Sequence, residues 1–317
     1  MGDNAFFSWS RRRERIFIEC KKKYYNEYYG YWNGWFPESP EETKNLWLLK
    51  NLKNLPLLTW ELVRDSIKDI LHKFKENGEV SIDTAIKELE KKYFTTLSES
   101  KNHQYRDNPK KYFALMEDEY EIIIEQEKVD ENLILAKTCL INFYKSDLFK
   151  EIKNTSKENW IFPEEYNAKG FTSFYFENTQ IFAIFSLAIL ENNQLTVYDW
   201  TTGAQDNPEE EDIDTKNSTL LLFFMNKKKL YPNQIKIKKI YLKTNQVEET
   251  VFSNADAARI KNHIKESVFE MKSVLLDKEQ NTASEENFPK TDNESNCTFC
   301  KYKKHCFPLA VSKFIGY

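Results

Sequence analysis

Four cysteines are the residues of this chain whose type and spacing point most directly to chemistry. Cys297, Cys300 and Cys306 lie close together in the string CTFCKYKKHC. The first two of these thiolates fall within one turn, and the third completes three corners around one centre. Cys20 is the only plausible fourth partner, because Cys139 lies on the apolar face of a predicted helix and is typical of a core residue. We therefore predict one site with four thiolate ligands.

Thiolate quartets bind either a [4Fe-4S] cluster or a tetrahedral zinc ion, and spacing alone does not separate these two cofactors. Here one cysteine is distant and three are clustered, whereas zinc patterns commonly consist of two pairs. Pro308 follows the last cysteine, and the aromatic residues Phe299, Tyr302 and Phe307 are available to shield a cluster from water. These features favour the iron-sulfur cluster, with zinc as the alternative.

The cellular setting is predicted from what the sequence lacks. The first residues show no basic region followed by a long apolar region, so we expect no signal peptide. The longest apolar runs, 181–190 and 220–225, are too short to span a bilayer. We therefore expect a cytoplasmic protein with no membrane partner, in which clustered cysteines are metal ligands rather than disulfides. The 46 Lys and Arg residues nearly balance 50 Asp and Glu residues, so net charge indicates no partner.

The elements that must position the cysteines are predicted from hydrophobic periodicity. A first helix over 10–29 carries Phe17, Cys20, Tyr24 and Tyr28 on one face, which directs Cys20 inward. Further helices are predicted near 59–74, 81–93, 111–127 and 132–149. Three strands follow between 160 and 200 with a turn at Asn192-Asn193, then a helix over 219–228, strands over 235–242 and 246–252, and a helix over 253–276.

These elements indicate five regions along the chain. They are a cluster-binding helix over 1–36, a helical region over 37–155, a sheet core over 156–277, a mobile polar linker over 278–296 and a cysteine lobe over 297–317.

Three segments of the chain resemble the RecB-type PD-(D/E)XK nucleases that carry an iron-sulfur cluster, a group that includes CRISPR-associated adaptation nucleases. They are the opening FSWSRRRERIFIECKKKYYNEYYGYWNGW, the sequence VYDWTTG at 197–203 and the terminal cysteine triplet. The resemblance implies an α+β (α/β) fold with a restriction-endonuclease-like core. In that fold a central mixed sheet is flanked by helices, and the cysteine lobe closes on the first helix. It also implies a [4Fe-4S] cluster held by Cys20, Cys297, Cys300 and Cys306.

The catalytic motif of that family is incomplete in this chain. Members that cut DNA end a strand in Asp/Glu-x-Lys, where the carboxylate binds a divalent metal and the lysine activates water. Asp199 matches the carboxylate, but Thr201 replaces the lysine. Phe185 and Ser186 stand where the family has a second metal-binding Asp. Without these groups we expect no intact divalent-metal site, and Asp199 is also explained as a cap of the turn after its strand.

A helix of the family often contributes a metal-binding His, and here that position is Arg64, with His72 as the only nearby substitute. Several losses together predict a pseudoenzyme. The resemblance then implies a DNA-binding or scaffolding subunit of a nucleic-acid-processing or antiviral defence complex. The alternative is an active metal-dependent DNA nuclease with a rearranged site, in which Asp199 acts with some of four carboxylates and a lysine from another element. Those carboxylates are Glu164, Glu165, Glu177 and Glu191.

Basic residues interleaved with aromatic residues mark the early segment as a candidate nucleic-acid surface. Cations bind phosphates and flat rings stack on bases, which suits DNA and single-stranded DNA in particular. The predicted contacts are Arg11, Arg12, Arg13, Lys21, Lys22 and Lys23. The competing interpretation is that the rings bury the first helix and the lysines form a solvated face.

Overall fold

The structure, a computed structural model, describes residues 6–203 and 215–308, without the side chains of residues 215 and 216. The chain forms two compact units, each assembled from separated stretches. Unit 1 comprises Met1–Leu55, Phe94–Lys128 and Lys265–Tyr317, and unit 2 comprises Pro56–Tyr93 and Val129–Ile264. None of the helices in the described ranges is both long and apolar enough for a bilayer crossing.

The described residues combine α-helices with β-strands, which confirms the predicted mixture of both types. The helices are α1 (Arg11–Glu19), α2 (Lys21–Tyr25), α3 (Glu41–Asn51), α4 (Leu55–Lys75), α5 (Ile82–Lys101), α6 (Met116–Glu119), α7 (Gln126–Lys145), α8 (Asp147–Asn154), α9 (Thr215–Lys228), α10 (Asn254–Ser273), α11 (Ser295–Thr298) and α12 (Lys303–Cys306). The strands are β1 (Ser8–Trp9), β2 (Trp160–Ile161), β3 (Ser173–Phe176), β4 (Thr179–Phe182), β5 (Leu187–Glu191), β6 (Gln194–Thr201), β7 (Ile235–Tyr241) and β8 (Gln246–Val251).

Unit 2 is organised around a mixed five-stranded sheet with the order β2-β5-β6-β7-β8. Only β6 and β7 are parallel, because the connection between them contains α9, whereas the other neighbours are antiparallel. Asn192 and Asn193 join β5 to β6 with positive φ angles of 50° and 59°, the backbone that a tight hairpin requires. The predicted mixed sheet and this turn are confirmed. A hairpin of β3 and β4 lies between β2 and β5 in sequence.

The predicted first helix is interrupted. It ends after Glu19, Cys20 adopts an extended backbone (φ −165°, ψ 114°), and a second helix begins at Lys21. A π-helix, Asn26–Gly30, continues from α2. The periodicity of the aromatic residues holds on both sides of the break, so it could not reveal the break.

A predicted helix over 111–127 was wrong in its extent. Within this range α6 is helical and α7 begins only at Gln126, and Glu121 between them has a left-handed φ of 58° that ends any continuation of α6. The turn makes room for Tyr120 and Met116 in the core of unit 1, where both are at least 94% buried.

The segment predicted to be a linker packs against the first helices of unit 1. Phe288 is 1% exposed and lies 5.4 Å from the ring of Tyr25. The carbonyl of Pro289 accepts the N–H of Lys22, and Asn281 Oδ1 accepts the hydroxyl of Tyr29. The segment is polar overall, but the buried ring of Phe288 fixes it to the first helices.

Candidate metal centre

Cys20 lies at the junction of two helices, and this junction determines how its thiol is presented. It caps the C-terminus of α1 through its N–H, which donates to the carbonyl of Ile16 at 3.0 Å. It also caps the N-terminus of α2, where its Sγ accepts the N–H of Lys23 at 3.4 Å. The backbone of Cys20 is extended, so its side chain points in a different direction from that of a residue within a continuous helix.

The three other cysteines lie on consecutive short turns. Cys297 is in α11, Cys300 follows it, and Cys306 is the last residue of α12. Backbone hydrogen bonds link the turns, from Cys300 N–H to the carbonyl of Cys297 at 3.3 Å and from Cys306 N–H to that of Tyr302 at 3.0 Å. Cys300 and Tyr302 are 8% and 0% exposed and belong to the main apolar core of unit 1. This core anchors the cysteine segment at its middle.

All four predicted ligands line one cavity in unit 1. Cys20 reaches it from the helix junction, and Cys297, Cys300 and Cys306 reach it from the C-terminal turns. Three lysines complete much of the charged lining: Lys23, Lys290 and Lys303. Four thiolates carry more negative charge than a zinc ion or an oxidised [4Fe-4S] core neutralises, so lysines at the rim suit either occupant.

Burial makes the free thiolate forms unfavourable in this cavity. It raises the pKa of Cys300 to about 11 and also raises the pKa values of Cys297 and Cys306, with nearby thiols adding to the effect. A metal ion supplies the positive charge that reverses this preference and deprotonates coordinating thiols. Four cysteines around one cavity, with lysines beside them, are nonetheless a donor set that fits a thiolate-ligated metal. Among residues 6–203 and 215–308, however, no three His, Cys, Asp or Glu side chains are grouped as a metal-ion site.

A buried carboxylate braces the cysteine segment against the π-helix. Glu27 is 4% exposed, and its Oε2 lies 2.8 Å from Lys301 Nζ and accepts the hydroxyl of Tyr302 at 2.7 Å. Its Oε1 accepts Arg12 Nη2 at 3.1 Å. Burial alone would raise the pKa of Glu27, but Lys301 and Arg12 outweigh it and lower that pKa to about 2. Glu27 is thus ionised and holds the two residues that follow Cys300.

Further hydrogen bonds hold the same segment from other sides. Tyr120 donates its hydroxyl to the carbonyl of Lys301 at 2.6 Å and accepts the N–H of Lys304 at 3.2 Å. Asn296 Nδ2 donates to the carbonyl of Glu19, immediately before Cys20, at 2.9 Å. The cysteine-bearing turns are therefore fixed by partners that lie far away in sequence.

Most of the predicted nucleic-acid contacts already have partners within unit 1. Ion pairs join Arg11 to Glu14, Arg12 to Glu27, Lys22 to Glu285 and Lys23 to Glu19. The guanidinium of Arg13 lies 4.3 Å from the ring centroid of Tyr28, and Lys21 Nζ lies 5.3 Å from that of Phe17. These contacts favour the structural interpretation of the segment, and nucleic-acid binding by it stays a prediction.

Asp199, the remnant of the nuclease motif, is 8% exposed in the middle of the sheet of unit 2. The parallel register places it beside Lys239 on β7, and the antiparallel register places Glu248 of β8 on the other side of Lys239. Paired residues share a face and neighbouring strands are about 4.8 Å apart, so three alternating charges cross the sheet in a row. This charge row gives Asp199 a structural role in the sheet.

The other positions of the motif carry no catalytic groups. Thr201 pairs with Tyr241, and its Oγ1 accepts the N–H of Gly203 at 3.2 Å. Phe185 is 3% exposed and packs on Phe223 and Phe224 of α9, with ring centroids 5.9 and 5.0 Å away. A carboxylate at position 185 would be buried among these rings.

Several other candidates have partners of their own or lie far from Asp199. Arg64 stacks over Trp60 at 4.6 Å, and the Nε2 atom of His72 lies 3.8 Å from Glu164 Oε2. Glu191 pairs with Gln194 at the opposite end of β6 from Asp199. At about 3.3 Å per residue, that separation is roughly 17 Å along the strand, too far for one shared metal ion.

Sequence reasoning missed the residues that support the cysteine segment. Glu27 and Tyr120 carry no motif, and their partners Lys301 and Lys304 looked like ordinary charges between cysteines. The available signal was Glu27 itself, a carboxylate on the aromatic face of the first helical segment.

No protein-family model matches this sequence, and a search of the curated proteins finds no similar one. The resemblance to cluster-bearing nucleases therefore depends on the sequence motifs alone.

Proposed function

We propose that this protein is a catalytically degenerate relative of the RecB-type iron-sulfur nucleases, which carries a [4Fe-4S] cluster and binds nucleic acid as a subunit of a larger complex. Cys20, Cys297, Cys300 and Cys306 are its cluster ligands. The cluster has a structural role here, because its binding free energy adds to the folding of unit 1.

The observation that carries the proposal is the single cavity lined by all four cysteines. Cys20 and the three cysteines of residues 297–306 line this cavity together, although most of the chain lies between them in sequence. The three lysines at the rim support a thiolate-ligated cofactor there, because they offset the negative charge of four thiolates. The preference for iron and sulfide over zinc comes from the spacing of the cysteines, the residues around them and the family resemblance.

Loss of catalysis is supported by the residues around Asp199. Thr201 has no charge with which to activate water, and Phe185 forms part of the apolar core. Each missing charge in such a site typically removes several kcal/mol of transition-state stabilisation. The same sheet is retained as a folded scaffold, which is what a binding subunit requires.

Metal analysis of anaerobically purified protein tests the cofactor. We expect iron and acid-labile sulfide in equal amounts, with brown absorbance that Cys306→Ala abolishes. Cys139→Ala is the matched control, because Cys139 is fully buried in α7 and should leave the iron content unchanged. Zinc without sulfide would show that the cofactor is the alternative, a zinc ion. Protein free of both iron and zinc would refute the proposal.

Nucleic-acid binding is tested by titrating labelled single- and double-stranded DNA at several salt concentrations. Binding that weakens steeply with added salt is expected if Lys and Arg side chains neutralise phosphates. Absence of binding even at low salt would leave a protein-interaction module as the remaining function.

An active nuclease is the second candidate, and one observation favours it. Lys239 lies beside Asp199 in the register of the sheet and is thus a candidate for the lysine from another element. Digestion of DNA with Mg²⁺ or Mn²⁺ separates the two functions, with Asp199→Asn and Lys239→Gln as variants. Cleavage that both variants abolish would establish the enzyme and overturn the degenerate assignment.

A further inference from the structure

Unit 2 contains a second cavity that plays no part in the metal centre or the charge row. It has a volume of about 350 Å³ and lies among the loop before β3, β3 itself and the end of α9. That volume is at the lower end of the range for small-molecule pockets, and it suits a ligand no larger than a nucleoside.

Aromatic rings form a large part of its wall, and two of them are unusually exposed. Phe171 and Tyr175 are 55% and 69% exposed and belong to the loop and to β3. Tyr166 also lines the cavity, and its ring is fixed edge-on against Phe223 at 5.1 Å. The exposed rings of Phe171 and Tyr175, next to the fixed ring of Tyr166, form a platform on which a flat ligand can stack.

Polar groups on the same wall are suited to the edge of a nucleobase. The Oδ1 atom of Asn167 accepts the N–H of Lys169, which leaves its Nδ2 amide as a donor, and Asn226 adds a second, exposed amide. The hydroxyl of Tyr166 is buried and has no hydrogen-bond partner among the described residues. Amides can both donate to and accept from base edges, so the wall combines stacking with hydrogen bonding.

Positive charge lies at the rim of the cavity. Lys227 lines it from the last turn of α9, and Lys228 Nζ lies 5.8 Å from the ring centroid of Tyr166. A phosphate attached to a stacked nucleoside would therefore meet an ammonium group. An acidic peptide would use the lysines but not the stacking rings, so the combination favours a nucleotide.

We propose that this cavity binds one unpaired base of a single-stranded nucleic acid. The base stacks on Phe171 and Tyr175, its edge bonds to Asn167 and Asn226, and the flanking phosphate contacts Lys227. The inference rests on the proposed nucleic-acid function and deepens it by naming the site and the single-stranded ligand.

Fluorescence anisotropy with a labelled ten-residue oligothymidylate tests the site, with an abasic oligonucleotide of equal length as the second probe. Tyr175→Ala should weaken binding of the thymidylate roughly 5- to 150-fold, the range for removal of one stacking ring. The affinity of the Tyr175→Ala variant for the abasic probe should differ from that of the wild type by less than about twofold. Tyr231→Ala is the matched control, because Tyr231 is 72% exposed in the same unit and does not line the cavity.

Lys227→Gln tests the phosphate contact independently of stacking. It should reduce the slope of log affinity against log salt by about 0.7, the value for one phosphate contact on a single strand. Lys145→Gln, at the exposed end of α7, should leave the slope unchanged.

The outcomes separate this inference from the proposed function. If wild-type protein binds both probes but Tyr175→Ala behaves like Tyr231→Ala, the base site is refuted and general nucleic-acid binding stands. If wild-type protein binds the abasic probe as tightly as the thymidylate, no base is recognised and the inference also fails. If wild-type protein binds neither probe at low salt, both ideas are wrong.

Discussion

The buried ion pair of Glu27 leads to a quantitative prediction about the stability of unit 1. We consider Glu27→Gln, which keeps the shape of the side chain and a hydrogen-bond acceptor for Tyr302 but removes the negative charge. Lys301, 14% exposed, then loses its carboxylate partner at 2.8 Å. Removing one member of a buried ion pair typically costs about 3–5 kcal/mol, because the other charge stays buried without compensation.

The pKa of Glu27 leads to a similar magnitude by another route. Its ordinary value is 4.5, and the ion pairs with Lys301 and Arg12 lower it to about 2 against the opposing effect of burial. At about 1.4 kcal/mol for each pH unit, this difference corresponds to about 3 kcal/mol of stability at neutral pH. We therefore expect Glu27→Gln to reduce the free energy of unfolding by about 3 kcal/mol.

Glu117 is the matched control. It is also a buried glutamate of unit 1, but its pKa is shifted in the opposite direction. It is 1% exposed, its Oε1 accepts the N–H of Leu55 at 3.0 Å, and burial raises its pKa. A neutral side chain suits that site, so Glu117→Gln should change the stability at pH 7 by less than about 1 kcal/mol or increase it.

Urea unfolding followed by circular dichroism measures both variants. The folded pKa of Glu27 lies below its unfolded pKa, so its contribution is complete above pH 4.5 and is lost as pH falls through about 2. The wild type and Glu27→Gln should therefore converge in stability over that interval. Equal losses for Glu27→Gln and Glu117→Gln, or a difference that does not depend on pH, would refute the reasoning.

Three other perturbations test the proposed cluster, the support of the cysteine segment and the turn between β5 and β6. If unit 1 holds the proposed cluster, treating purified protein with a chelator should lower the melting temperature and reconstitution with iron and sulfide should restore it, as differential scanning fluorimetry can measure. Tyr120→Phe should cost about 1–2 kcal/mol in urea unfolding, because the carbonyl of Lys301 loses a buried donor; an unchanged midpoint would contradict this. Asn193→Val should cost about 1–2 kcal/mol at its positive φ of 59°, whereas Asn193→Gly should be tolerated; equal stabilities would show that the turn is not strained.

Elements whose local pattern agrees with their final environment could be predicted from the sequence. The helix from Asn254 is marked by a reciprocal cap, in which Asp256 accepts the N–H of Ser253 and Ser253 Oγ accepts that of Asp256. The hairpin at Asn192-Asn193 and the buried position of Cys139 were likewise evident, because Asn tolerates left-handed backbone and a lone Cys on an apolar face belongs in a core.

Two kinds of feature could not be predicted: a helix break that leaves no local signal, and contacts with partners distant in sequence. The break at Cys20 leaves no local mark, since the residues on both sides favour helix and the extended backbone is stabilised by caps that its own thiol and N–H provide. The role of Glu27 depends on Lys301, which is far away in sequence. The turn at Glu121 is similarly set by the packing of Tyr120, which overrides local helix propensity.

The discontinuous make-up of unit 1 has a consequence for how the protein is made. Cys20 leaves the ribosome early, whereas Cys306 is added only after the whole of unit 2 has been synthesised. At about 5–20 residues per second, roughly 15–60 s separate the two events. During that interval Cys20 lacks the other three cysteines, so a cofactor that needs all four thiolates can be fully ligated only after translation has passed residue 306.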